Sequence, residues 1–162
     1  MEIIELETRA REYAKRKSLT VDFNIPLGAG IDGTVWATHL HSAIKIFQRQ
    51  ENYERERDCY ERLFVERLTE VNGFTIPSLI DIDDRLWIVE MEIVSPPFVL
   101  DFGKCYLDRR PDFSDEVMAD WENEQRELWG DRWAIVQSII AQLEQIGIYY
   151  QDVKPGNVMF AR

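Results

Sequence analysis

The sequence predicts an α+β fold. Two observations predict it: the apolar periodicity switches along the chain from three-and-four spacing to alternation and back, and glycine or proline marks the switches. A third is bulk composition, since 162 residues that are 45% apolar suffice for one ordinary core.

Ile3, Leu6, Ala10, Tyr13 and Ala14 recur at helical spacing with charges between them, predicting an amphipathic helix over 3–16. Strands follow over 21–27, 34–40 and 42–47, the first two joined by a turn at Gly28-Ala29-Gly30-Ile31-Asp32-Gly33. A helix is expected over 50–68, where Tyr53, Tyr60, Leu63, Phe64 and Leu68 share a stripe. Asn72-Gly73 signals a turn before strands at 78–82 and 85–94, and Pro96-Pro97 breaks the second of these. Two helices complete the pattern, 114–129 and 131–145, the latter with Trp133, Val136, Ile139, Ile140 and Leu143 as its apolar face and Gly147 as its stop.

Charge narrows the function classes. A net charge of −11 argues against sequence-independent nucleic-acid binding, which needs a basic footprint. The acidity concentrates between Asp108 and Asp131, with nine carboxylates against three arginines, and reads as a solvated helix face. Only Cys59 and Cys105 are present, without metal-ligand or redox spacing, which predicts a reduced cytoplasmic protein. The N-terminus lacks signal-peptide character and no apolar run has membrane-spanning length, which speaks against secretion and against a membrane partner. His39 and His41 share one strand face but find no further ligands, so they read as surface histidines.

The chemistry-bearing residues lie at both ends of the chain. Tyr150-Gln151-Asp152-Val153-Lys154-Pro155-Gly156-Asn157 spaces a carboxylate, an ammonium and an amide by two and by five. Phosphoryl transfer needs those three groups, to orient a hydroxyl, to neutralise developing charge and to ligate magnesium. Gly28, Gly30 and Gly33 also fit a dinucleotide fingerprint, but that motif needs a helix after the loop, and Thr34-Val35-Trp36-Ala37-Thr38 reads as a strand. A glycine hairpin that lets the backbone approach phosphates fits better. Lys45 stands inside the apolar run Ala43-Ile44-Lys45-Ile46, where an unpaired ammonium would be costly. Glu56 projects from the inward stripe of the next helix and is the expected partner; Glu61, aligned with Phe64 and Leu68, is its rival.

In this order the motifs resemble the eukaryotic-like protein kinase superfamily, and the likeness runs through nearly the whole chain. It implies a protein-kinase-like fold in one domain: an N-terminal helix (1–20), a complete five-stranded N-lobe with one helix (21–95), and a truncated, mainly helical C-lobe (96–162). It implies ATP and Mg2+ as cofactors. Gly28, Gly30, Gly33 and Val35 would cover the nucleotide, and Lys45, oriented by Glu56, would hold its phosphates. Met91 would be the gatekeeper, and the backbone of Glu92 and Val94 would bind adenine. Asp152, Lys154 and Asn157 would be catalytic, with Asn157 also a metal ligand and a protein or small-molecule hydroxyl as acceptor.

The departures are specific. Lys45 and Glu56 are closer in sequence than is usual in the family, and Tyr150-Gln151 stand where it has histidine and arginine. Without that arginine, activation by a phosphorylated loop is not expected. Asp101-Phe102-Gly103 spell the family's metal-binding tripeptide, but they precede the catalytic loop, and chain order excludes them from that role by homology. Asp101 is expected to cap a following helix in preference to contacting a ribose. The second metal carboxylate is thus expected to be missing and activity of the chain alone weak or absent. The alternatives are a pseudokinase acting as a nucleotide-sensing or scaffolding module, and a partner chain that supplies the carboxylate. A homodimer contact or another partner is a candidate cover for the 131–145 helix, as are the N-terminal helix and the 114–129 helix.

Overall fold

The computed structural model describes residues 3–151 and 153–162. Helix α1 (Ile3–Lys17) buries Leu6, Ala10, Tyr13 and Ala14. The expected strand at 21–27 is absent: only Val21 bridges to Thr38, and the Asn24 N–H turns back onto Asp22 Oδ1 at 3.0 Å. Pro26 has no N–H to give a ladder. Pairing begins at Leu27, whose N–H donates to Val35 O at 2.8 Å, and continues as β1 (Gly28–Gly30) against β2 (Gly33–Ala37). The three glycines therefore lie in strands, and Ile31-Asp32 make the turn. Gly33 is required, because a Cβ there would lie 2.0 Å from Ile46 O on β3 (Ser42–Phe47).

Helix α2 (Gln50–Val65) ends three residues before the predicted stop, where Arg67 turns left-handed (φ 53°) and the Leu68 N–H returns to Leu63 O. Asn72 and Gly73, both at positive φ, close a hairpin of β4 (Glu70–Val71) and β5 (Phe74–Thr75). These two-residue strands are too short to show alternation in the sequence. Then come β6 (Leu79–Asp83) and β7 (Ile88–Glu92), the latter shorter than predicted because Trp87 takes a positive φ. The remainder runs β8 (Phe98–Val99), β9 (Tyr106–Leu107), α3 (Asp115–Trp129), a 3-10 turn at Gly130–Arg132, α4 (Trp133–Gln145), β10 (Ile148–Tyr149) and β11 (Val158–Met159). Ser114 Oγ caps α3 by accepting the Val117 N–H at 3.2 Å.

The fold is α+β. Its main sheet is antiparallel in the order β1-β2-β3-β7-β6; β10 pairs with β9, and the β4-β5 hairpin joins β8 and β11 in a second sheet ordered β11-β8-β5-β4, with β5 parallel to β8. One core cluster covers the outer face of the main sheet, joining Leu6, Ala10 and Tyr13 of α1 to Trp36, Ile44, Ile46 and Ile88. The larger cluster runs from the inner face through α2 to α4, whose stripe Trp133, Val136, Ile139 and Leu143 packs with Trp129 of α3 and Ile148 of β10. The chain itself thus covers Trp133, Val136, Ile139 and Leu143 of α4, while Ile140 of the predicted stripe is only half-buried. No helix among the described residues is long and apolar enough to cross a membrane.

Candidate functional site

A cleft of about 450 Å³ opens between the main sheet and the second half of the chain. Lys45, at the centre of β3 between Val35 and Val89 of the neighbouring strands, points into it. Its Nζ donates to Glu56 Oε2 of α2 at 2.6 Å, and Asp101 Oδ1 lies 3.4 Å away. Glu61 is not the partner: it is exposed, whereas Glu56 is only 1% exposed. Burial pushes the Glu56 carboxyl up, opposed by the Lys45 ammonium. At Lys45 burial acts to lower the pKa, but the carboxylates of Glu56 and Asp101 outweigh it and hold the ammonium above its ordinary range.

Asp101 corrects a sequence expectation. No helix starts there, and it caps nothing; the residue takes φ 63° and turns its carboxylate into the cleft. Strand pairing is the reason. β8 lies antiparallel to β11, with Val99 opposite Val158 and Phe98 opposite Met159, and the Leu100 N–H donates to Asn157 O at 2.7 Å. The tripeptide and the loop ending at Asn157 are therefore neighbours, whichever comes first along the chain. Gly103 adds to the close fit, since a Cβ there would lie 3.0 Å from Glu56 Oε2.

Aromatic packing fixes this assembly. Phe102 is fully buried between Tyr60 of α2 and Tyr150, with ring centroids 5.5 Å apart on each side. The Tyr150 hydroxyl donates to Leu100 O at 2.5 Å, and that of Tyr60 to Met91 Sδ at 3.1 Å. One column thus ties the Glu56 helix, the Asp101 segment and the strand end preceding the 150–157 loop.

Of the residues singled out in the sequence, Gly28, Val35, Lys45, Glu56, Met91, Glu92, Val94 and Asn157 line the cleft together. Gly30 and Gly33 stand outside the lining, beside the hairpin turn. Lys154 is exposed and also outside it, and Asp152 lies outside the described residues. Sequence reasoning missed Tyr60 and Leu100 as lining residues and assigned Asp101 elsewhere. The signal for Asp101 was its tripeptide, set aside because of chain order. His39 is exposed and its Nδ1 accepts the Thr20 N–H, and no group of metal-ligating side chains occurs among the described residues.

No protein-family model matches the chain, and no curated protein matches it. Among solved structures it is similar to the streptomycin–ATP–APH(2")-IIa ternary complex, with TM-score 0.40 and 15% identity over 76% of this chain and 39% of that one. It is similar also to the gentamicin–APH(2")-IIa complex, with TM-score 0.40 and 16% identity over 74% of this chain and 38% of that one. The chain thus spans about two fifths of the length of these relatives. So distant a likeness decides nothing about activity.

Proposed function

We propose that the chain is an ATP-binding, protein-kinase-like phosphotransferase in a single kinase-like domain whose two lobes flank the cleft. The observation that carries this reading is the convergence of Lys45, Glu56, Asp101 and Asn157 on one cleft from four separate segments. Lys45 holds nucleotide phosphates and Glu56 keeps it in place. Gly28 and Val35 form one wall, with Gly30 and Gly33 shaping the hairpin over the phosphates, and Met91 limits the depth of the adenine pocket. The Glu92 N–H is donated to Ser78 O and the Ile93 N–H to His41 O. The Glu92 carbonyl and the Val94 N–H recognise the adenine edge.

The carboxylate of Asp101 and the side-chain amide of Asn157 offer hard oxygen donors in the same cleft, which fits magnesium. When bound, the ion would neutralise charge on the phosphate oxygens. Asp152 orients an acceptor hydroxyl and takes its proton as the oxygen bonds to the γ-phosphorus and the bond to the β-phosphate bridging oxygen breaks, releasing ADP. Lys154 offsets the charge that develops on the transferred group. With Asp101 in that role the cleft holds the carboxylate that was expected to be missing, and this supports activity over the pseudokinase alternative.

Thermal unfolding with ATP, with and without magnesium, tests the reading. Saturating nucleotide at a hundred times its Kd should stabilise the chain by about 2.7 kcal/mol. Lys45→Met should lose the whole shift, and Asp101→Asn only the increment that magnesium adds. An unshifted midpoint at millimolar ATP would refute nucleotide binding. A full magnesium increment in Asp101→Asn would refute the metal assignment, and phosphoryl transfer undiminished in Asp152→Ala the catalytic one.

A further inference from the structure

At about 100° per residue, α3 divides into three faces. Met118, Gln125 and Trp129 form the inward one: Gln125 and Trp129 are buried, and the Trp129 Nε1–H donates to Gln125 Oε1 at 3.0 Å. The next face is apolar and open, with Val117 49% and Leu128 52% exposed beside the half-buried Trp121. The third is a stripe of Glu116, Asp120, Glu124 and Glu127, all exposed and without an ion-pair partner among the described residues.

The apolar face continues onto α4. The Trp121 ring stands edge-on to that of Trp133 with centroids 5.9 Å apart, and the two open a shallow groove of about 340 Å³ that extends along Ile140 and Ala141. Two glutamates line this groove, and both are already paired, Glu122 with Arg126 at 2.7 Å and Glu144 with Arg110 at 3.6 Å. The uncompensated charge therefore lies on the α3 stripe beside the groove. An acidic stripe alone is an ordinary solvated helix face. The bordering apolar flank and aromatic groove set this one apart.

We propose that this surface docks a cationic amphipathic segment of a partner protein, with apolar side chains in the Trp121–Trp133 groove and lysines or arginines along the Glu116-to-Glu127 stripe. Charge selects the occupant. A second copy would bring the same carboxylates against these, and an anionic lipid surface or a nucleic acid would be repelled. The proposal stands apart from the nucleotide cleft and does not depend on it.

Fluorescence anisotropy of a labelled amphipathic helix of leucine and lysine, about 18 residues or five turns long, titrated with the full chain, tests it. A triple variant, D120K/E124K/E127K, is compared with E61K/E66K/E70K, which makes the same change in net charge at exposed positions elsewhere. The α3 variant should bind about tenfold more weakly than that control, and the wild-type affinity should fall with salt. Trp121→Ala should weaken binding as well; Leu128→Asp, at an exposed position, gives the same reading should Trp121→Ala unfold. Equal loss in both triple variants would mean non-specific attraction to an acidic protein and overturn the proposal. So would full affinity in Leu128→Asp, or sedimentation showing a wild-type dimer that Leu128→Asp dissociates.

Discussion

Glu56 shows how much one side chain carries. It was legible in the sequence because an apolar strand containing a single lysine needs a carboxylate, and Glu56 faces inward on the next helix. Spacing alone left Glu61 open, and only the orientation of α2 against β3 decides between them. Because Lys45 is buried, Glu56→Ala leaves its ammonium with the more distant Asp101 alone. The expected loss is about 3–5 kcal/mol of stability, read from urea unfolding, with Glu61→Ala close to neutral as the comparison. The Lys45 pKa is raised in the fold, so its contribution is present below the unfolded value near 10.4 and fades only as pH rises through the higher folded value. The Lys45 ammonium therefore stays charged at physiological pH.

Helix α1 was predicted from its periodicity, and it falls within one residue of the expected end. Its role as cover for the outer sheet face depends on partners that no local pattern reveals. The Tyr13 hydroxyl donates to Glu90 Oε2 at 2.7 Å and to Asp81 Oδ2 at 3.0 Å, and Lys17 pairs with Asp81 at 2.5 Å. Arg9 reaches Leu86 O and Phe47 O, and Arg16 and Glu12 pair with Asp83 and Arg85. Burial acts to raise the Asp81 carboxyl, but Lys17 and Tyr13 outweigh it and hold it below its ordinary value. Its contribution is therefore present above the unfolded pKa, about 3.9, and lost as pH falls through the lower folded value. Asp81→Asn should lower stability at neutral pH and flatten its fall on the acid side of about pH 4, measured by denaturant unfolding across pH. A parallel decline in wild type and variant would refute this.

At the scale of the molecule, the larger core cluster crosses the cleft floor, joining Phe47 and Val89 of the main sheet to Val136, Ile139 and Leu143 of α4. The two halves should therefore unfold together. Leu143→Ala is expected to cost about 2–5 kcal/mol and to move the far-ultraviolet and tryptophan-fluorescence transitions by the same amount. Two separated transitions would show that the halves are independent.

Local periodicity, glycine demands and the cost of burying an unpaired charge made the α+β class, the four α-helices, the longer strands of the main sheet and the Lys45–Glu56 pair legible in the sequence; Met91, Glu92 and Val94 came from the family likeness, and the two-residue strands left no pattern to read. The place of Asp101 became clear only in the folded chain. Chain order argued against it, yet the β8–β11 ladder brings it beside Lys45. Strand pairing depends on which backbones meet in space, and not on which is made first.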